Sequence, residues 1–216
     1  MIVSVTAISW AVFTMTILHL ISSRSPIRDT LSSYTVTDRG SGMFEASLLS
    51  LAVGSVAVLG ALVVAGTPLS TTTYVLFSAW AIGLTVAAIF PASYGQVGRW
   101  EGEIHRYASL SAFLSLPGGV YSLLERTRSV PALAKLRATL SRLLAISLYC
   151  LALFAISYLL DAFQAVPVVD RLNEILPVGL TQRFVLAADV ALLLTVVVLA
   201  TRMATTRRDQ RPETAY

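Results

Sequence analysis

Six stretches of about twenty mainly apolar residues occupy most of this chain, and that is the length a helix needs to cross the hydrocarbon core of a bilayer. They are Ile2–Ile21, Met43–Ala65, Thr72–Phe90, Ile104–Leu124, Leu140–Leu160 and Leu180–Thr201. Of the 216 residues 56% are hydrophobic and 13% charged, where a soluble domain carries about 25% charged. One soluble core has no room for so much apolar surface, whereas a bilayer acts as its solvent. The pattern predicts an all-α integral membrane bundle of six transmembrane helices. No linker divides residues 1–201, which read as one domain. The basic tail 202–216 is polar and reads as disordered. Pro68 suits a turn before the third span, and Pro117 predicts a kink in the fourth. The first stretch has neither a basic leader nor a small-x-small cleavage site, so it reads as a retained helix rather than a signal peptide.

Lys and Arg set the expected orientation. With the N-terminus inside, the cytoplasmic segments hold Arg126, Arg128, Lys135, Arg137, Arg142, Arg202, Arg207, Arg208 and Arg211. The outer segments hold Arg24, Arg28, Arg39, Arg99, Arg106, Arg171 and Arg183, spread out and interleaved with acids. The clustering of the first set predicts both termini in the cytoplasm of a plasma-membrane protein. Three longer loops then face outward: 24–42, 91–103 and 161–179. Tyr94 and Trp100 suit interface anchors. In the last loop Pro167 opens a segment whose apolar Val168, Val169, Leu172, Ile175 and Leu176 keep helical spacing, which predicts a short interfacial helix.

Several chemistries are excluded. Cys150 is the single cysteine, lies in an apolar run and reads as a small buried hydrophobe. There is no CxxC pair, no phosphate-binding G-x-x-x-x-G-K-[ST], no H-E-x-x-H and no G-x-S-x-G. The net charge of +4 sits in two short clusters beside spans, which argues for topology and contact with anionic membrane lipid, and against nucleic acid.

Ionisable groups inside spans cost about 2.5–3.5 kcal/mol each at a helix centre, so they are the first candidates for function. Asp189 lies nine residues into the sixth span, about 13 Å below its outer end. A carboxylate there needs a partner, water or a proton; it is either a proton donor or a hydrogen bond tying two helices together. Gln182 shares its helix face. Glu45 opens the second span, as a site carboxylate or an interfacial one. His19 and His105, the only histidines, fall near the outer ends of the first and fourth spans. Each is an acid–base group, a ligand, or a ring bonded to nearby backbone. Arg106 and Arg183 near helix starts, with Arg28 in a loop, suit gripping an anionic head group or snorkelling to the interface. Asp161, with Tyr158 a turn before, borders the same surface.

The motifs also carry a resemblance. Pro26, Arg28 and Asp29 form Pro-x-Arg-Asp after the first helix, and Phe90-Pro91 ends the third. Gly102 and His105 form Gly-x-x-His at the start of the fourth, and Gly179, Leu180 and Arg183 form Gly-Leu-x-x-Arg at the start of the sixth. This arrangement resembles the bacterial domain-of-unknown-function family 998, multi-pass membrane proteins frequent in actinobacteria. The resemblance implies a six-helix membrane domain, no stated activity, and weight on Arg28, Asp29, His105 and Arg183. Gln182 departs from the acid that the resemblance leads one to expect at its position, which alters the charge balance there.

Three functions follow as expectations. The first is a site in the outer half of the bundle for a lipid, isoprenoid-like or other amphipathic molecule. In it Arg28, Arg106 and Arg183 hold a head, and His105 with Glu45 or Asp189 moves protons. The second is an accessory or scaffold subunit packed on another membrane protein, for which Ser111, Ser115 and Gly119 offer a small-residue stripe. The third is a redox protein with haem between His19 and His105. No resident cofactor or metal is otherwise indicated.

Overall fold

The computed structural model describes residues 1–36, 42–90, 92, 99–162 and 167–209. Within them the regular structure is helical: α1 (Ile2–Ile21), α2 (Met43–Val64), α3 (Thr71–Ile89), α4 (Arg99–Arg126), α5 (Ala134–Ala162), α6 (Pro167–Ile175) and α7 (Val178–Asp209), with short 3-10 turns at Leu31–Val36 and Pro131–Leu133. Arg39, Pro91, Tyr94 and the tail from residue 210 lie outside the described residues.

Five helices, α1, α2, α3, α5 and α7, are long and apolar enough to cross a membrane. Five of the six expected spans are thus long and apolar helices among the described residues. The exception is α4, whose first two turns carry Arg99, Glu101, Glu103 and Arg106 and whose middle holds serines, Pro117 and two glycines. Even so, α4 runs antiparallel along the whole of α3. Near its start the His105 ring bonds the Ala87 and Phe90 carbonyls at the end of α3. Near its end the Ser122 hydroxyl lies 2.7 Å from Ser70 and 2.9 Å from Thr73, at the start of α3. Between them Gly83 lets the helices close up, since a Cβ there would stand 2.7 Å from the Ala108 carbonyl.

Helix ends follow local chemistry. Ser70 caps α3, its hydroxyl accepting from the Thr73 N–H at 3.0 Å. Beyond α2 the chain turns on Gly66 (φ 71°), with Gly66 N–H donating to Val63 and Thr67 N–H to Leu62, the paired bonds of a Schellman ending. Pro167 is the first residue of α6, where its missing N–H costs nothing. The last helix continues through Arg202–Asp209, residues assigned from sequence to a disordered tail. No Gly or Pro interrupts it there, and Arg207 and Arg208 near its C-terminus complement the helix dipole.

The core is apolar and drawn from α1 to α5 and α7, with Trp80, Phe77, Leu116, Leu192 and Leu193 fully buried. Buried polar bonds join neighbours: Trp80 Nε1 donates to Ser55 Oγ at 2.8 Å, and Ser47 Oγ to the Ala11 carbonyl at 2.7 Å. The outside is apolar as well, with Val56, Ile82, Leu114 and Ile156 all exposed, as a lipid-facing surface requires. The start of α1 and the end of α7 share one end of the bundle, the proximal end. There Thr201 Oγ1 meets Met1 Sδ at 2.8 Å, and the Arg207 guanidinium lies over Gly66. The 3-10 turn at Leu31–Val36, the end of α3 and the start of α7 form the opposite, distal end.

Candidate functional site

The distal end is held by two locks. The first centres on Arg183, in the second turn of α7. Its Nε donates to His19 Nε2 at 2.7 Å and its Nη2 to the Tyr34 hydroxyl at 2.8 Å. Its Nη1 donates to the Asp29 carbonyl at 2.8 Å and to the Gly179 carbonyl at 2.7 Å. The guanidinium also faces the buried Tyr34 ring, 5.6 Å from its centroid. His19 Nδ1 lies 2.6 Å from the Met15 carbonyl, so Nδ1 carries the hydrogen and Nε2 offers its lone pair to Arg183. An iron held between the two histidines would need that same lone pair.

The loop before Arg183's partners is tied to the same helix. Leu180 N–H donates to the Ile27 carbonyl at 2.9 Å, and the Gln182 amide oxygen accepts from Leu31 N–H at 2.7 Å. Asp29 closes the loop on itself, its carboxylate accepting from Ser25 N–H at 2.7 Å. Gly179 permits the fit: a Cβ there would collide with the Asp29 carbonyl and stand 2.7 Å from that of Ile27. Arg28 itself points to the exposed side of the loop.

The second lock is His105, buried on α4 at 7% exposure. Its Nδ1 is 2.9 Å from both the Ala87 and the Phe90 carbonyls, which α3 leaves without intrahelical partners at its C-terminus. Nδ1 therefore bears the hydrogen, and in the neutral ring Nε2 is an acceptor. Nε2 has no hydrogen-bond partner among the described residues.

Between the two locks lies a cavity of about 40 Å³. Phe44 of α2, Leu84 of α3, His105, Ser109 and Phe113 of α4 and Gln182 of α7 line it. Leu31 and Ser32 roof it. A larger hollow of about 390 Å³, lined by Ile2, Val3, Trp10 and Ser50, is a shallow apolar groove between α1 and α2 at the proximal end.

The remaining candidates stand apart from this cavity. Asp189 is fully buried about two turns below Gln182 on α7. Its Oδ1 accepts from Ser147 Oγ of α5 at 2.7 Å, and its Oδ2 has no partner among the described residues. Glu45 is half-buried in the first turn of α2, where the helix dipole favours a carboxylate. Arg106 is exposed, bonded to Glu103 and Tyr158 at the α4–α5 face. Asp161 ends α5 on the exposed side. Cys150 is half-buried on α5. Among the described residues no three metal-ligating side chains come together.

The motif pairs read from the sequence thus meet in space. Pro-x-Arg-Asp and Gly-Leu-x-x-Arg are the two halves of the Arg183 lock, and Phe90 and Gly-x-x-His belong to the His105 lock. A family profile described as Protein of unknown function (DUF998) matches residues 5–199. The chain belongs to the DUF998 family. No curated protein and no solved structure matches it. In this DUF998 chain, Tyr34, Ser109, Phe113 and Ser147 join the sites without having been singled out in the sequence. A tyrosine in a loop, or a serine or phenylalanine in an apolar helix, carries no signal until its neighbour across the bundle is known.

Proposed function

We propose that the distal end is a head-group site for an amphipathic lipid, in a bundle that crosses the plasma membrane six times. The antiparallel course of α4 along α3 supports α4 as the sixth crossing. Arg126, Lys135, Arg142, Arg202 and Arg208 gather at the proximal end, which supports cytoplasmic termini and an outward-facing distal end. The amphipathic α6 then lies in the outer interface, with Leu172 and Ile175 exposed.

The observation that carries the binding reading is the cavity itself. It is apolar below and polar at one rim, where His105, Ser109 and Gln182 converge. Pockets that enclose whole small molecules measure about 300–1,000 Å³, so about 40 Å³ receives a head and leaves the chain in the bilayer. Binding is favoured over acid–base conversion, because neither Asp189 nor Glu45 lines the cavity. The scaffold reading has less support: of the stripe Ser111, Ser115 and Gly119 only Ser111 is exposed, and Gly119 packs against Phe77 of α3.

The test is lipid analysis of protein purified in mild detergent, comparing the native chain with Ser109→Leu, which fills the cavity. The reading expects one lipid class enriched over the bulk membrane in the native protein and lost in the variant. Equal lipid profiles for the two would refute it.

A further inference from the structure

We infer that the head this cavity takes is an uncharged hydroxyl, as in a long-chain alcohol, and not a phosphate or carboxylate. The inference rests on the head-group reading above and names the ligand class for it.

Charge decides first. The arginines suited by sequence to gripping an anion do not line the cavity. Arg183 directs its Nε and both Nη atoms onto His19, Asp29, Gly179 and Tyr34. Arg106 faces Glu103 and Tyr158 on the outside of α4, and Arg28 is exposed on the loop. An anion placed here would lose its hydration without gaining a cation, which buried charges do not tolerate.

The donor and acceptor inventory decides next. Leu31 N–H requires an acceptor, so the amide oxygen of Gln182 faces it and the amide NH2 remains available as a donor. His105 Nδ1 is held by two carbonyls, so the neutral ring presents Nε2 as an acceptor. Ser109 adds a hydroxyl that does either. A ligand hydroxyl is both donor and acceptor: its hydrogen goes to His105 Nε2 and its oxygen accepts from Gln182 or Ser109. An ionised carboxylate or a phosphate dianion offers acceptors only and leaves the neutral His105 ring unmatched.

Size agrees. About 40 Å³ holds one or two water-sized groups, which suits a hydroxyl and its first methylene. Phe113 lines the cavity on one side and packs 5.6 Å from the Phe154 ring of α5 on the other, so the chain leaves past this pair along the α4–α5 seam.

The experiment uses the full chain in proteoliposomes with two photoreactive probes sharing one diazirine-bearing alkyl chain, one ending in a hydroxyl and one in a phosphate monoester. The alcohol should label peptides around Phe113 and Phe154 and be competed by the same alcohol without the diazirine. Ser109→Leu should abolish the labelling. Ser109→Ala removes a hydroxyl from the cavity wall without adding a charge. It should weaken labelling by up to about tenfold, the equivalent of one hydrogen bond, with thermal stability little changed. Equal or stronger labelling by the phosphate would overturn the inference while leaving the head-group reading in place. Labelling by the alcohol that ignores both substitutions would place its site elsewhere and also overturn it. No labelling by either probe would remove both readings.

Discussion

Arg183 Nε donates to His19 Nε2 at 2.7 Å, joining the start of α7 to the end of α1 across 164 positions of the chain. The same guanidinium reaches the loop between α1 and α2 through Asp29 and Tyr34. One side chain therefore sets the position of three segments, and its loss is predicted to be felt as stability. In Arg183→Lys a single ammonium cannot reproduce the planar fork. It leaves at least one buried acceptor unmatched, at about 1–3 kcal/mol, equivalent to a melting temperature lower by about 2–12 °C. Thermal unfolding in detergent measures this, and a lysine variant as stable as the native protein would show that the fork is dispensable.

Gly179 makes a sharper comparison with Gly60. A methyl at Gly179 would meet the Asp29 and Ile27 carbonyls, both backbone atoms with little freedom to move, whereas a methyl at Gly60 meets nothing within 4 Å. Gly179→Ala should therefore destabilise, by about 1–3 kcal/mol for overpacking. Gly60→Ala, at an exposed position of α2, should be neutral or gain up to about 1 kcal/mol from helix propensity. Equal melting temperatures for the two variants would contradict the contact described.

Asp189 and Ser147 should couple as a helix–helix bond. In a double-mutant cycle of Asp189→Asn and Ser147→Ala, interhelical hydrogen bonds of this kind give about 0.6 kcal/mol and at most about 1.7 kcal/mol. Asp189→Asn alone keeps an acceptor for Ser147 and should leave the fold intact. Strictly additive effects would mean that the bond contributes nothing to holding α5 on α7.

The sixth crossing is open to a labelling test, because Cys150 is the single cysteine. In a Cys150→Ser background, Trp100→Cys and Arg128→Cys place thiols at the two ends of α4, at positions 84% and 74% exposed. An impermeant maleimide added to intact cells should label the first only, and the second only after the membrane is opened. Labelling of both from outside would show that α4 does not cross.

The helical class, the positions of the apolar helices and the helix at Pro167 were legible in the sequence. They depend on stretches of twenty apolar residues, on helical spacing and on proline, all of which act locally. The polar composition of the chain after Thr201 holds no comparable local marker, and α7 runs on to Asp209 because no Gly or Pro stops it there. The fourth span has the weakest local signal, since the composition of α4 falls short of the other five helices, and it is the packing of α4 along the whole of α3 that the sequence did not show.

What only the tertiary structure decided is the role of each polar residue. Arg183, His105 and Gln182 stood out in the sequence because polar groups are rare in apolar helices, but rarity does not say whether a group faces a ligand or a backbone carbonyl. That depends on which carbonyls the loop and the end of α3 bring within 3 Å. The fold spends Arg183 and His19 on each other, and leaves His105 and Gln182, which line a cavity, with Nε2 and the amide NH2 unbonded among the described residues. Local sequence set where helices form, through burial and hydrogen bonding within each segment. The site was set by contacts between residues up to 164 positions apart, whose geometry exists only once the helices have packed.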